Sequence, residues 1–183
     1  MTGPHVMDTA SGVQLDLDNP RPKDINLGDI AAALSKVCRF GAQASRFYSV
    51  AQHAVMVRQI VVEEFGRPDL ALYALHYDSH EAYVCDLPRP LKEKLREDQD
   101  GEKQAKNVYD QVCDALDLAI AAKLEFEIPA KGTADQVEVK RADDKALVTE
   151  ARLLIHDRGE LDEPLEPERA EKLFRDVHAA SLP

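Results

Sequence analysis

Residue types able to do chemistry crowd into one stretch, His76-Tyr77-Asp78-Ser79-His80-Glu81, with Asp86 shortly after it. Imidazoles, carboxylates and a phenol at this density offer nitrogen and oxygen ligands for a divalent cation, together with groups that exchange protons at physiological pH. A charged helix face turned to water is the plain alternative, since such a face needs no function. Two distant residues add weight to the first reading. His53 stands three residues after Val50 and four before Val57, so on a helix it points along the apolar face into the core, where a lone histidine is more often structural than ligating. Asp143 shares a helix side with Val139, Ala146 and Leu147, which aims a carboxylate inward, although one of the adjacent pair Asp143 and Asp144 is free to face water. A buried charge without a partner is costly. One bound cation would offset the burial of the histidine, the aspartate and the acidic helix together.

The elements that must position these groups read as mostly helical. On a helix turning about 100° per residue, Tyr77, Asp78 and Glu81 project to one side, with His80 at the edge of that sector and His76 further round. Ser49-Val50-Ala51-Gln52 matches a capping box and places His53 near the first turn of a helix carrying Val50, Ala54, Val57 and Val61 and ending near Gly66. Pro68 opens a helix through Leu72 and Leu75 to about Val84, and Pro88 and Pro90 bracket the turn after it. Upstream, Val13, Leu15 and Leu17 alternate after a Ser11-Gly12 turn signal, which predicts a short hairpin over residues 7–17. Asn19-Pro20-Arg21-Pro22 is a non-helical link, and Asn26 caps a helix through Ile30, Ala33, Leu34 and Val37 that stops before Gly41. Downstream, Tyr109, Val112, Leu116 and Ile120 keep helical register, residues 124–132 read as a loop, and helices are expected over residues 137–155 and 166–178, the last with Pro167 in its first turn. The expected fold is all-α, a single helical bundle with a short N-terminal β-hairpin, divided into a lead-in of residues 1–25 and a helical domain of residues 26–183.

Composition narrows the function classes. The 183 residues are 44% hydrophobic and 31% charged, the balance of a globular domain, and 23 basic against 34 acidic residues give a net charge of −11. A surface that negative repels polyphosphate backbones, so a nucleic-acid polymer is not an expected partner. Cys38, Cys85 and Cys113 show no CxxC spacing and suggest neither a disulfide framework nor a thiolate zinc site, in keeping with a reducing cytoplasm. No run approaches the ~18 apolar residues of a membrane span, and no export segment is evident.

The chain resembles the HD-domain metal-dependent phosphohydrolases, especially the small 5′-deoxynucleotidase-like branch. The likeness runs from Asn19-Pro20-Arg21-Pro22 through Cys38-Arg39-Phe40-Gly41, Phe47-Tyr48-Ser49-Val50-Ala51-Gln52-His53 and Asp78-Ser79-His80-Glu81-Ala82-Tyr83. It continues in Asp86-Leu87-Pro88-Arg89-Pro90-Leu91-Lys92 and Arg141-Ala142-Asp143, followed by Leu147-Val148-Thr149-Glu150-Ala151-Arg152. The resemblance implies an HD-type helical bundle holding one divalent transition metal, with Mn, Co, Fe, Ni and Zn all suited to mixed nitrogen and oxygen ligands. It places metal ligands at His53, Asp78 and Asp143, proton-handling acids at Glu81 and Asp86, and phosphate and sugar contacts at Arg39 and Phe40. Lys92 is a further candidate for the substrate phosphate. At the position directly before Asp78, where the family has its paired histidine, this chain has Tyr77, a phenol that must lose a proton of pKa ~10 to ligate strongly. His80, about 60° from Tyr77 on the helical wheel, is better placed to substitute than His76 at about 100°.

The expected activity is removal of phosphate from 5′-(deoxy)nucleoside monophosphates. A (deoxy)nucleoside triphosphate triphosphohydrolase and a degenerate nucleotide-binding module, its turnover reduced by Tyr77, are the rivals. A related two-iron oxidising fold is disfavoured because the loop after Gly41 lacks histidine. The expected partner is a small-molecule nucleotide, with no membrane and with a homodimer open.

Overall fold

The computed structural model describes residues 5–97, 107–156 and 164–182; residues 1–4 of the expected lead-in lie outside them. Eight α-helices and one two-stranded sheet are present among the described residues. Strands β1 (Val6–Asp8) and β2 (Gln14–Asp16) form the expected antiparallel hairpin, with Met7 opposite Leu15. Gly12 takes a positive φ in the turn, and Leu15 is fully buried, so the alternation sets its inward face.

Helix α1 (Leu27–Leu34) starts at Asn26, whose side chain accepts a hydrogen bond from the Gly28 amide at 2.7 Å. It ends three residues before the expected Val37, and the chain turns through residues 39–42, where Phe40, Gly41 and Ala42 all have positive φ. Helix α2 (Val50–Gln59) is capped by Ser49, which accepts from the Gln52 amide at 3.2 Å. Gln52 Oε1 serves a different purpose from the expected reciprocal cap: it accepts from the Leu165 amide at 2.9 Å and ties α2 to the start of the last helix. The helix continues as a π-type turn over Ile60–Glu64, closed by the Phe65 amide donating to the Ile60 carbonyl, and stops at Gly66.

The expected helix from Pro68 to Val84 is broken. A short 3₁₀ turn (Pro68–Leu70) leads into α3 (Ala71–Leu75), residues 76–80 form turns, and α4 (Glu81–Val84) follows. Backbone bonds of i+3 type fill the break, from Ser79 N to His76 O, Glu81 N to Asp78 O and Ala82 N to Ser79 O. Side chains fix it: His76 Nδ1 lies 2.8 Å from Ser79 Oγ and His76 Nε2 2.9 Å from His178 Nδ1. A continuous helical wheel therefore does not describe residues 77–81.

Helix α5 (Arg89–Leu95) has Pro90 in its first turn. Helix α6 (Val108–Leu124) begins with a full capping box between Asn107 and Asp110. The loop of residues 125–132 leads to α7 (Ala134–Leu154), capped by Thr133, and α8 (Pro167–Ala180) closes the bundle. Helix α2 is central, packing on α3, α7 and α8, while α1 packs on α8 and α4. One apolar cluster contains Leu15, Ile30, Leu34, Leu75, Leu116, Ile120 and Phe174; a second contains Val57, Val61, Tyr73, Val139 and Ala146.

Candidate metal centre

His53 lies in the first turn of α2 and is fully buried. Its ring is held at both ends. Nδ1 is 2.8 Å from Glu150 Oε1 on α7, while Nε2 faces Asp143 Oδ1 at 3.1 Å and Asp78 Oδ2 at 3.3 Å. His53, Asp78 and Asp143 each offer one donor atom, and the three atoms lie within 4.8 Å of one another. The donors come from α2, the turn after α3 and the middle of α7, so three separated chain segments converge on one point. A carboxylate on Nδ1 fixes the ring's orientation and leaves Nε2 as the ligating nitrogen. One imidazole nitrogen and two carboxylates suit a divalent transition cation.

The electrostatics agree with that donor set. Burial would lower the His53 pKa, as would Arg39, but Glu150, Asp143 and Asp78 outweigh them and hold it well above the usual imidazole value. Burial would raise Asp78 and Asp143, yet the hydrogen bonds from His53 keep both below the ordinary carboxylate range. Lys140 Nζ, 2.6 Å from Asp143 Oδ2 and 2.7 Å from Asp144 Oδ1, balances the outer side of the cluster. Asp143 is thus the inward member of the aspartate pair and Asp144 the outer one.

Tyr77 lines a cavity together with Asp78. Its ring packs edge-on against Tyr73 at 5.7 Å and against the second apolar cluster. Burial, then Asp78, drives its phenol far above its ordinary pKa, so it stays protonated at neutral pH. His76 faces Ser79 and His178, whereas His80 sits with Asp78 and Glu81 and places its Nδ1 2.9 Å from Asp117.

Glu81 is buried, and its Oε1 accepts from Lys92 Nζ at 3.0 Å. Burial first, then Asp78 and Asp86, pushes its carboxyl up to about 8. Arg39 is buried as well. Its Nη2 and Nε donate to Glu150 Oε2 at 3.1 and 3.3 Å, its Nη1 donates to Asp86 Oδ2 at 3.3 Å, and its guanidinium stacks over the Phe40 ring at 5.4 Å. A cavity of about 740 Å³, a size typical of small-molecule sites, opens beside the cluster and is lined by Tyr73, Tyr77, Asp78, His80, Lys92 and Phe126, among others.

Glu150 is the residue that sequence reasoning passed over. It is fully buried and joins His53 to Arg39 through its two oxygens. The available signal was its place two turns after Asp143, on the stripe of Val139, Ala146 and Leu153, where a carboxylate is as unexpected as Asp143 itself. Asp117 gave no comparable signal.

No family model matches the chain. Over 172 residues, 94% of this chain and 85% of its relative, it is 37% identical to the uncharacterized protein YfdR of Escherichia coli (strain K12). It is also 32% identical over 149 residues to the uncharacterized protein RCAP_rcc00048 of Rhodobacter capsulatus, covering 78% of this chain and 67% of that one. The first match covers nearly the whole chain, and this chain belongs to the same family as YfdR.

Proposed function

We propose that the protein is a metal-dependent phosphohydrolase of the HD-domain type, acting on (deoxy)nucleotides, with 5′-(deoxy)nucleoside monophosphates as the first substrate class. The observation that carries this reading is the convergence of His53, Asp78 and Asp143 on one point, with Glu150 holding the histidine and reaching on to Arg39. A divalent cation bound there supplies Lewis acidity and an activated water. The chain's own residues supply the rest. Glu150 fixes the His53 ring and the Arg39 guanidinium relative to one another. Arg39 and Lys92 place positive charge at the Asp78 side of the centre, where it would balance a substrate phosphate in a protein of net charge −11. Glu81, whose carboxyl titrates at about 8, can hold or release a proton near neutral pH and suits the acid that serves the leaving oxygen. Asp86, anchored by Arg39 and near enough to Glu81 to raise its carboxyl, is the second acid. The adjoining cavity, lined by aromatic, basic and acidic side chains, has room for the sugar and base.

The test is a panel of deoxynucleoside mono- and triphosphates incubated with Mn²⁺, Co²⁺ or Zn²⁺, with phosphate, pyrophosphate and triphosphate measured separately. Orthophosphate from monophosphates is the expected product. Triphosphate release from triphosphates redirects the reading to the triphosphohydrolase, and no product from any combination removes the enzymatic reading.

One observation favours a second reading. Tyr77, with its protonated phenol packed on Tyr73, stands where the HD-type pattern has a histidine ligand, which suits a nucleotide-binding module with reduced turnover. In that case nucleotides raise the Tm without product, and Tyr77→His restores hydrolysis.

A further inference from the structure

Asp78 belongs to a second group of ligand-bearing residues. Asp78, His80 and Glu81 also offer one donor atom each, again within 4.8 Å of one another. All three lie in or directly after the turns of residues 76–80 that separate α3 from α4.

Three features separate it from an ordinary acidic cluster. It contains an imidazole whose Nδ1 is taken by Asp117 at 2.9 Å, a carboxylate-to-histidine contact of the kind that orients a ligating ring, and the same ring has Cys113 as a further partner. Glu81 is 1% exposed, and while its Oε1 accepts from Lys92, its Oε2 is buried with no hydrogen-bond partner, a costly condition for a carboxylate oxygen. The third feature is access. Among the described residues, the lining of the 740 Å³ cavity includes Asp78 and His80 but not His53, Asp143 or Glu81, so the second set reaches the cavity through two of its members and the first through Asp78 alone.

We propose that Asp78, His80 and Glu81 form a second divalent-cation position, bridged to the first through the Asp78 carboxylate. Asp78 has two carboxylate oxygens, one of which faces His53, so this one residue would serve both positions. The mixed nitrogen and oxygen donors suit the same transition ions as the first position, and an ion there gives the Glu81 Oε2 a partner and passes the proton-handling role from Glu81 to Asp86. Paired cations sharing a carboxylate would clamp a phosphoryl group from two sides. This extends the metal centre on which the proposed function rests, but it is tested by counting ions and needs no turnover.

The full-length protein is stripped with EDTA, equilibrated with Mn²⁺, freed of unbound ion and analysed by inductively coupled plasma mass spectrometry, with affinities from calorimetry. The wild type is expected to hold two ions per chain, and His80→Asn and Asp143→Asn one each. Asp117→Asn should weaken the second ion about 10–100-fold, the usual effect of losing a residue that orients a ligand. Glu81→Gln guards against misfolding, since the amide is nearly isosteric and brings no charge into the buried site, and it should also weaken the second ion at least tenfold. Circular dichroism verifies the fold of each variant. A single ion that is lost in Asp143→Asn and retained at full affinity in His80→Asn and Glu81→Gln overturns the second position while leaving the first intact. Two ions retained in both of those variants overturn it equally. An ion that survives Asp143→Asn and disappears in His80→Asn supports it.

Discussion

Glu150→Gln removes one buried charge and leaves both of its partners in place. The carboxylate is fully buried, accepts from His53 Nδ1 at 2.8 Å, and accepts from Arg39 Nη2 and Nε at 3.1 and 3.3 Å. A glutamine keeps one acceptor oxygen, but its NH₂ must then face one of two donors, either the imidazole or the guanidinium. Removing one member of a buried ion pair costs about 3–5 kcal/mol, because the other charge stays buried without compensation. The low end applies here: Arg39 keeps Asp86 at 3.3 Å, and His53 keeps Asp78 and Asp143. The expected loss is therefore about 3 kcal/mol. Urea unfolding followed by circular dichroism, in EDTA at neutral pH, measures it, and with a slope of about 1–3 kcal/mol per molar the midpoint falls by roughly 1–3 M. A cycle with Arg39→Met should return a coupling of about 0.5–3 kcal/mol. A loss under about 1 kcal/mol with unchanged slope would show that Glu150 is not the shared anchor of Arg39 and His53.

Three further outcomes follow from particular residues. The Glu81 carboxyl sits at about 8 when folded against an ordinary 4.5, so the stability it contributes is full below pH 4.5 and is lost as pH rises through about 8. In EDTA, Glu81→Gln should therefore match the wild type in acid and overtake it as the pH climbs; a wild type that gains on the variant with rising pH contradicts the assignment. Tyr77→His should raise Mn²⁺ affinity at least about tenfold, read as a larger metal-induced rise in Tm, because a neutral imidazole replaces a phenol that stays protonated; an unchanged rise argues that position 77 does not reach the ion. Phe174→Ala, at a fully buried site in the larger apolar cluster, should cost about 3–5 kcal/mol in the same urea assay without altering metal stoichiometry.

Much of this arrangement was legible in the sequence where a local rule acts over one or two turns. Asn26 and Ser49 mark helix starts because a side-chain oxygen satisfies an amide within three residues, and both do so. His53 and Asp143 point inward because the apolar residues around them share a helical period, and the structure brings the two to 3.1 Å. The break at residues 76–80 was not legible: no glycine or proline announces it, and it depends on His76 meeting His178 from a helix about a hundred residues later. The orientations of Tyr77 and His80 hang on that break. Glu150 was half legible, since its inward place could be read from the stripe on α7, but its bonds to Arg39 and His53 span separations that periodicity does not encode. The HD-type pattern supplied the grouping of His53, Asp78 and Asp143, which residue spacing alone does not produce.

The central claim is that His53, Asp78 and Asp143 hold a divalent cation, and anomalous diffraction from crystals equilibrated with Zn²⁺ tests it most directly. An anomalous peak is expected about 2.0–2.2 Å from His53 Nε2 and from an oxygen of Asp78 and of Asp143, with Glu150 still on His53 Nδ1. A map with no peak at that point, and zinc bound only at surface histidines such as His5, would contradict it.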